Sequence, residues 1–333
     1  MRKSQNPPTT NVLVPVRDTS KTRDYSVEQQ AAHPFALRFS ECGSDSHSII
    51  AAGQAAEIPY VRGIEINKRV IERLENCKLI VSGSVGLDNI DVESASRQGI
   101  AVVNVPDLFT QEVAEHAVAQ ILSSYKRLAS LDRLLRGGHW TDGHQLSSSL
   151  PPLSNATLGL VGFGRIAQAV ARMMSVFGSR LIASDPYVST SVFSSFGVES
   201  VEMDALAARA DIVSIHVPSS LETDGLIGRQ FFSLMKPNAI LVNTGRGSTI
   251  DEAALCKSIN EKLISGAALD VFVSEPLAHD SPLLSLPNVS VTPHVASITS
   301  AFEPKRKSRI GDEIRVFLSG GRPKGCVNWE AMH

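Results

Sequence analysis

His294 stands in VSVTPHVAS (289–297), where a run of β-branched residues breaks at a proline. An imidazole titrates near pH 6.5, so it can give and take a proton close to neutrality. A lone histidine is more often a hydrogen-bonded structural residue, so its company decides the reading. That company is polar and recurs where apolar runs stop. His216 closes DIVSI, Arg246 lies in LVNTGRGS, Asp270 and Glu275 lie in LDVFVSEP. Arg246 is held between Gly245 and Gly247, which points to backbone near a ligand and an exposed guanidinium.

A second chemistry is written in LGLVGFGRIAQAVARMMSVFG. Gly162 and Gly164 sit where an apolar run meets a helical pattern, and Ala167 takes the third position of G-x-G-x-x-G/A. The first glycine permits a tight turn, the second lets backbone approach a pyrophosphate, and the small third residue allows close helix–strand packing. The helix N-terminus then offers N–H groups and partial positive charge to the anion. Asp185 lies 23 residues after Gly162 (185 − 162), near the spacing of roughly 20 expected of a ribose-binding acid. A carboxylate accepts from both ribose hydroxyls and repels a 2′-phosphate, and no arginine stands beside it, so NAD is favoured over NADP.

These residues need elements to hold them. Apolar runs alternate with helical patterns: strands are expected at 11–16, 35–40, within 56–63, at 78–84 and at 100–106, with helices at 67–77 and around 92–99. A long helical stretch spans 110–138, with Thr110 as its N-cap and Gly137 and Gly138 at its end. A loop follows at 147–155, and six more strands come within 157–294, closing on a C-terminal helix. Such alternation implies βαβ units, and in open parallel sheets ligands bind beyond the carboxyl ends of the strands.

Composition narrows the function classes. The chain has 333 residues, enough for two domains. A net charge of −2 gives no support to a nucleic-acid partner, and no apolar run suits a membrane span. MRKSQNPPTT has no apolar stretch behind it, so it reads as a short disordered tail rather than a secretory signal. Cys42, Cys77, Cys256 and Cys326 are scattered without metal-ligand spacing, which fits reduced thiols in the cytoplasm and no metal.

Taken together, SVGLDNID (84–91), VAEHAV (113–118), LGLVGFGRIA (158–167), LVNTGRG (241–247), ALDVF (268–272), SEP (274–276) and TPHVA (292–296) resemble the D-isomer-specific 2-hydroxyacid dehydrogenase family. That group contains D-3-phosphoglycerate dehydrogenase and glyoxylate/hydroxypyruvate reductases. The resemblance implies an α/β fold of two doubly wound parallel-sheet domains, with a Rossmann NAD-binding domain (108–295) inserted in a flavodoxin-like substrate domain (1–107 plus 296–333). It implies His294 as general acid/base, Glu275 as the carboxylate that orients and tunes it, and Arg246 as the grip on a small 2-oxo or 2-hydroxy acid. It further implies that Ser84, Val85 and Gly86 offer backbone to the substrate carboxylate, with Arg62 as a further phosphate or carboxylate contact. His216, Val217 and Pro218 would line the adenine pocket, and Thr244 and Asp270 would lie at the nicotinamide end. Val113, Arg165 and Ile166 join Gly162, Gly164 and Asp185 as cofactor contacts. A homodimer and closure of an interdomain cleft complete the expectation.

Departures bear on the substrate. Ala167 replaces the commoner third glycine, and Ser84 stands where glycine is frequent. The arginine that phosphoglycerate dehydrogenases often carry just before the GxGxDN loop is Ser82 here. With 333 residues there is also no room for an appended regulatory domain, so the expectation leans away from a firm phosphoglycerate assignment. The other class of reading is an NAD(H)-sensing protein like the corepressors that share this fold.

Overall fold

The computed structural model describes residues 9–332. Apart from Thr9 and Thr10, the stretch expected as a tail lies outside the described residues. The chain divides into two units, one running to Phe109 and resuming at Thr299, the other Thr110–Ile298.

The first unit holds five strands: β1 (Thr10–Val16), β2 (Leu37–Gly43), β3 (Ile58–Val61), β4 (Leu79–Ser82) and β5 (Ala101–Val103). They pair in parallel in the order β2-β1-β3-β4-β5. β3, β4 and β5 are buried along their whole length, as strands of a sheet covered on both faces must be. The β5 edge is closed by Asn328, whose side chain accepts from Val102 N–H at 2.8 Å and donates to the Ile100 carbonyl at 2.9 Å. An edge so occupied is no template for a foreign strand.

The second unit holds β6 (Thr157–Val161), β7 (Arg180–Ser184), β8 (Glu199–Ser200), β9 (Ile212–Ile215), β10 (Ile240–Asn243), β11 (Gly266–Leu269) and β12 (Val289–Val291). All pairings are parallel, in the order β12-β11-β10-β9-β6-β7-β8. Alternate residues feed opposite cores. Leu241 and Leu269 pack with Val213, Phe232 and Leu255, whereas Ile240, Val242 and Ala268 pack with Leu160, Val170 and Met174. That is the two-residue period of a strand with apolar cover on each side. β6 lies between β9 and β7, so the chain order reverses there, at the kind of switch point where doubly wound sheets take ligands.

Several expected elements differ. The stretch 110–138 is two helices, Thr110–Tyr125 and Leu128–Arg136, broken at Arg127, whose φ is +56°. No glycine or proline announced the break. Arg127 reaches the Ser265 carbonyl at 3.3 Å, a long-range tie that local pattern cannot show. The helix Trp140–Ser148 takes the start of the expected loop at 147–155. The expected helix 67–77 is α-helical only over Lys68–Ile71, followed by tight turns such as Arg73 N–H to the Val70 carbonyl at 3.1 Å. Helices Ser26–Ala31 and Ser46–Ala52 and the two-residue strand β8 were not expected; each is too short for a periodic signal. Among the described residues, no helix is long and apolar enough to cross a membrane, and no group of His, Cys, Asp and Glu is placed to hold a metal ion.

Candidate active site

Gly162 ends β6 with φ at +83°. A Cβ there would lie 2.8 Å from Val217 Cγ1 and 3.1 Å from the His216 carbonyl carbon, so conformation and neighbours both require glycine. Gly164 is different. A Cβ there would meet nothing within 4 Å, and the residue is the N-cap of the helix Arg165–Ser175 with no side chain capping it. Arg165 is exposed and Ile166 half-buried at that helix start, while Ala167 is fully buried and packs as the small third residue should. Open space before uncapped helical N–H groups is what a pyrophosphate needs.

Asp185 follows β7 and reaches back across the turn. Its Oδ2 accepts from Phe163 N–H at 2.8 Å, and its Oδ1 from Tyr187 N–H at 2.9 Å. The carboxylate therefore caps its own turn and pins the glycine loop, with lone pairs left for ribose hydroxyls. His216, Val217 and Pro218 leave β9 next to Gly162, His216 half-buried and Pro218 exposed. Ser214 Oγ meets His216 Nε2 at 2.9 Å, and burial pushes this imidazole down to about 4, so it stays neutral near pH 7. Thr244, after β10, is buried, and its Oγ1 has no hydrogen-bond partner among the described residues. That unspent hydroxyl, the uncapped helix start and the room at Gly164 together fit a dinucleotide. Val113 is buried in the first turn of the helix Thr110–Tyr125.

The Arg246 turn is built by Asn243, which is fully buried at the end of β10. Asn243 Oδ1 accepts from Gly245 N–H at 2.9 Å, and its Nδ2 donates to the Arg246 carbonyl at 2.9 Å. The Arg246 guanidinium is half-buried and donates to the Gly245 carbonyl at 2.8 Å. Next to it, a Cβ on Gly247 would fall 1.9 Å from the Phe272 carbonyl carbon, so only glycine lets these two turns touch. Phe272 N–H in turn donates to Glu275 Oε1 at 3.1 Å, and Glu275 Oε2 meets His294 Nδ1 at 2.7 Å. The three polar residues singled out from the sequence are thus joined through two turns. The side chains of Glu275 and His294 remain 36% and 47% exposed, which leaves the pair open to a reactant.

His294 has a φ of +53°, in the left-handed region that non-glycine residues seldom occupy. Asp270 holds it there. The Asp270 carbonyl accepts from His294 N–H at 2.8 Å, and the fully buried carboxylate accepts from Val295 N–H at 3.0 Å, Ala296 N–H at 2.9 Å and Thr292 Oγ1 at 2.5 Å. Thr292 Oγ1 also meets His116 Nε2 and Gln120 Nε2, each at 3.1 Å, from the helix Thr110–Tyr125. This buried network was not legible in the sequence, because His116 and Thr292 lie far apart along the chain. His116, Asp270 and Thr292 each lie in one of the resemblance motifs, VAEHAV, ALDVF and TPHVA, but nothing in those motifs says that they meet, and Gln120 lies in none.

In the first unit, Ser84, Val85 and Gly86 follow β4 and are half-buried. Their carbonyls are partly engaged: Val85 O accepts from Asn104 Nδ2 at 2.6 Å, and Ser84 O from Val105 N–H at 3.3 Å. The N–H groups of Val85 and Gly86 donate no hydrogen bond among the described residues, which suits a loop meant to receive oxygens. Arg62, at the end of β3, is exposed and pairs with Glu303 at 2.9 Å.

Residues 118–296 match the family described as D-isomer specific 2-hydroxyacid dehydrogenase, NAD binding domain. The chain is 36% identical to a D-3-phosphoglycerate dehydrogenase of Mycobacterium bovis over 86% of its own length and 54% of that protein. It therefore spans about half the length of that curated relative. It is 37% identical to a glyoxylate reductase of Korarchaeum cryptofilum, covering 80% of this chain and 81% of that one. A D-lactate dehydrogenase from Aquifex aeolicus, solved with NAD and lactic acid, superposes with a TM-score of 0.82 at 27% identity, over 93% of this chain and 96% of that chain. With its sheet orders, its glycine loop and these matches, the chain belongs to the D-isomer specific 2-hydroxyacid dehydrogenase family of oxidoreductases, and its second unit carries that family's NAD binding domain.

Proposed function

We propose that this chain interconverts a small 2-oxo acid and its D-2-hydroxy acid with NAD as the redox partner. The observation that carries the reading is the Glu275–His294 pair, 2.7 Å between Oε2 and Nδ1, at the end of the path from the Arg246 turn. A carboxylate only accepts, so Nδ1 carries a hydrogen and Nε2 is left as the nitrogen that exchanges a proton. In the reduction, His294 gives its Nε2 proton to the oxygen on C2 as that carbon gains a hydride; in the oxidation it takes the proton back. NADH, when bound, supplies the hydride and becomes NAD.

Arg246 holds the substrate carboxylate and 2-oxo oxygen, a bidentate task suited to its fork. Glu275 keeps the imidazole in one orientation and offsets the charge of its protonated form. Ser84, Val85 and Gly86 receive the carboxylate by backbone N–H. Gly162, Gly164, Arg165 and Ile166 seat the pyrophosphate, Asp185 the ribose, His216, Val217 and Pro218 the adenine, and Thr244 and Asp270 the nicotinamide end. Hydroxypyruvate or glyoxylate, or the phosphorylated three-carbon acid, are the substrate classes in view. A homodimer in the cytoplasm belongs to the same proposal; the four unpaired cysteines suit a reducing compartment.

The test is NADH oxidation by the purified protein with a panel of 2-oxo acids, together with His294→Ala. Loss of the general acid is expected to lower kcat by more than about a hundredfold while NADH still binds. Tight NADH binding with no turnover of any acid would sink the enzyme reading in favour of a sensor. Unchanged turnover in His294→Ala would remove the role given to the histidine.

A further inference from the structure

A second charged cluster stands at the carboxyl ends of β3 and β4 in the first unit. Glu303, in the first turn of the helix Phe302–Leu318, is gripped by two arginines. Arg62 Nη2 donates to its Oε1 at 2.9 Å, and Arg306 Nη2 donates to its Oε2. The three side chains differ in access. Arg62 and Glu303 are 39% and 46% exposed, but the Arg306 side chain is only 4% exposed.

Burying a guanidinium is costly unless its donors are met. Even so, Arg306 Nε closes no hydrogen bond among the described residues, and the buried hydroxyl of Tyr60 lies beside the Arg306 guanidinium without a hydrogen bond of good geometry. Both side chains pack on Gly83, where a Cβ would lie 3.0 Å from Arg306 Cδ and 3.3 Å from Tyr60 Cε2. Gly83 opens the loop whose N–H groups at Val85 and Gly86 are unspent. The planar group of Arg306 also lies 5.0 Å from the Phe302 ring centroid, which fixes its direction. Glu28, whose carboxyl feels Lys307 and Arg306, is buried, and that burial pushes it up toward its neutral form. Two cations therefore share one exposed carboxylate, immediately beside the loop proposed to receive the acid.

We infer that Glu303 is a specificity determinant: it fills an anion subsite made by Arg62 and Arg306, and so selects 2-oxo acids that lack a second anionic group. Such a subsite emptied of Glu303 would take a phosphate or a second carboxylate, with paired guanidiniums as the natural grip. With Glu303 in place, an incoming phosphate meets a like charge where it should meet only cations. The inference rests on the oxidoreductase reading, and it narrows that reading to acids with a neutral tail, such as hydroxypyruvate or glyoxylate.

The experiment compares the full chain with Glu303→Gln and with Glu303→Gln/Arg62→Gln. Two readouts are taken: kcat/KM with NADH for hydroxypyruvate and for 3-phosphohydroxypyruvate, and calorimetric titration with inorganic phosphate at constant ionic strength. The wild type is expected to prefer the unphosphorylated acid. Glu303→Gln is expected to raise the phosphorylated-to-unphosphorylated ratio, and the phosphate affinity, by about tenfold or more, the scale of one hydrogen bond to a charged group. The double variant should lose both gains. A ratio in Glu303→Gln within twofold of wild type, or a wild type that already prefers the phosphorylated acid, overturns the inference. If no acid is turned over by any variant, the oxidoreductase reading fails, and phosphate decides this one separately: a gain in Glu303→Gln supports the subsite, and equal affinity overturns it.

Discussion

Asp270 and His294 are tied through the main chain and around it: the His294 N–H donates to the Asp270 carbonyl at 2.8 Å, while the Asp270 carboxylate takes the next two amides. A positive φ at a histidine is sustained only where the surroundings over-determine it. Here one fully buried carboxylate supplies that determination, aided by Thr292, His116 and Gln120.

Asp270→Asn tests the tie. An amide offers one acceptor oxygen in place of two, so the Val295 and Ala296 amides and the Thr292 hydroxyl can no longer all be met. The variant is expected to lose about 1–3 kcal/mol of stability, the cost of a buried polar group left unpaired. Chemical denaturation reads this, and turnover should fall with it. A variant as stable and active as wild type would show that the loop holds His294 without Asp270.

Asp185 is expected to set the choice of dinucleotide. In Asp185→Ser, the charge that repels a 2′-phosphate is gone while a hydroxyl remains for one of the two turn amides. The NADH-to-NADPH ratio of kcat/KM should fall by about tenfold or more, the worth of one charged contact. A wild type that prefers NADPH would contradict the assignment outright.

His216 carries a pH signature. Its folded pKa is pushed down to about 4 by burial, below the roughly 6.5 of an unfolded chain. The unfolded state then binds more protons between those values, so this histidine's contribution is intact above pH 6.5 and drains away as pH falls toward 4. His216→Gln should flatten that part of the stability profile, measured by denaturant midpoints between pH 5 and pH 7.5. An identical slope in the variant would place the loss elsewhere.

The proposed homodimer is expected to bury two helices of the second unit. The helices Leu128–Arg136 and Trp140–Ser148 contribute no buried residue, and Leu128, Leu135 and Trp140 are 53%, 57% and 65% exposed. Apolar area of this kind on a lone chain is expected to be covered by a partner. Trp140→Lys should shift the protein to a monomer in light scattering at micromolar concentration. A wild type that is already monomeric would refute the dimer.

Much of the site is legible in the sequence alone. Gly162, Gly164 and Asp185 announced a dinucleotide turn because strand, glycines and acid sit within one local βαβ stretch, where order along the chain fixes position. His216, Arg246, Asp270, Glu275 and His294 were legible as strand-end residues for the same reason: parallel strands deliver their ends to one edge of the sheet. What the tertiary structure decided are the relations between elements far apart in sequence. It broke the 110–138 stretch at Arg127, where the side chain reaches Ser265. It brought Gly247 onto Phe272, so that Arg246 and Glu275 share one wall, and set His116 and Gln120 beneath Thr292. It paired Arg62, expected from the sequence as a phosphate or carboxylate contact, with Glu303, which Arg306 also holds, on a helix more than two hundred residues later. Local spacing encodes strands, turns and caps; which side chain meets which across the sheet depends on packing, and packing is settled only when the whole core closes.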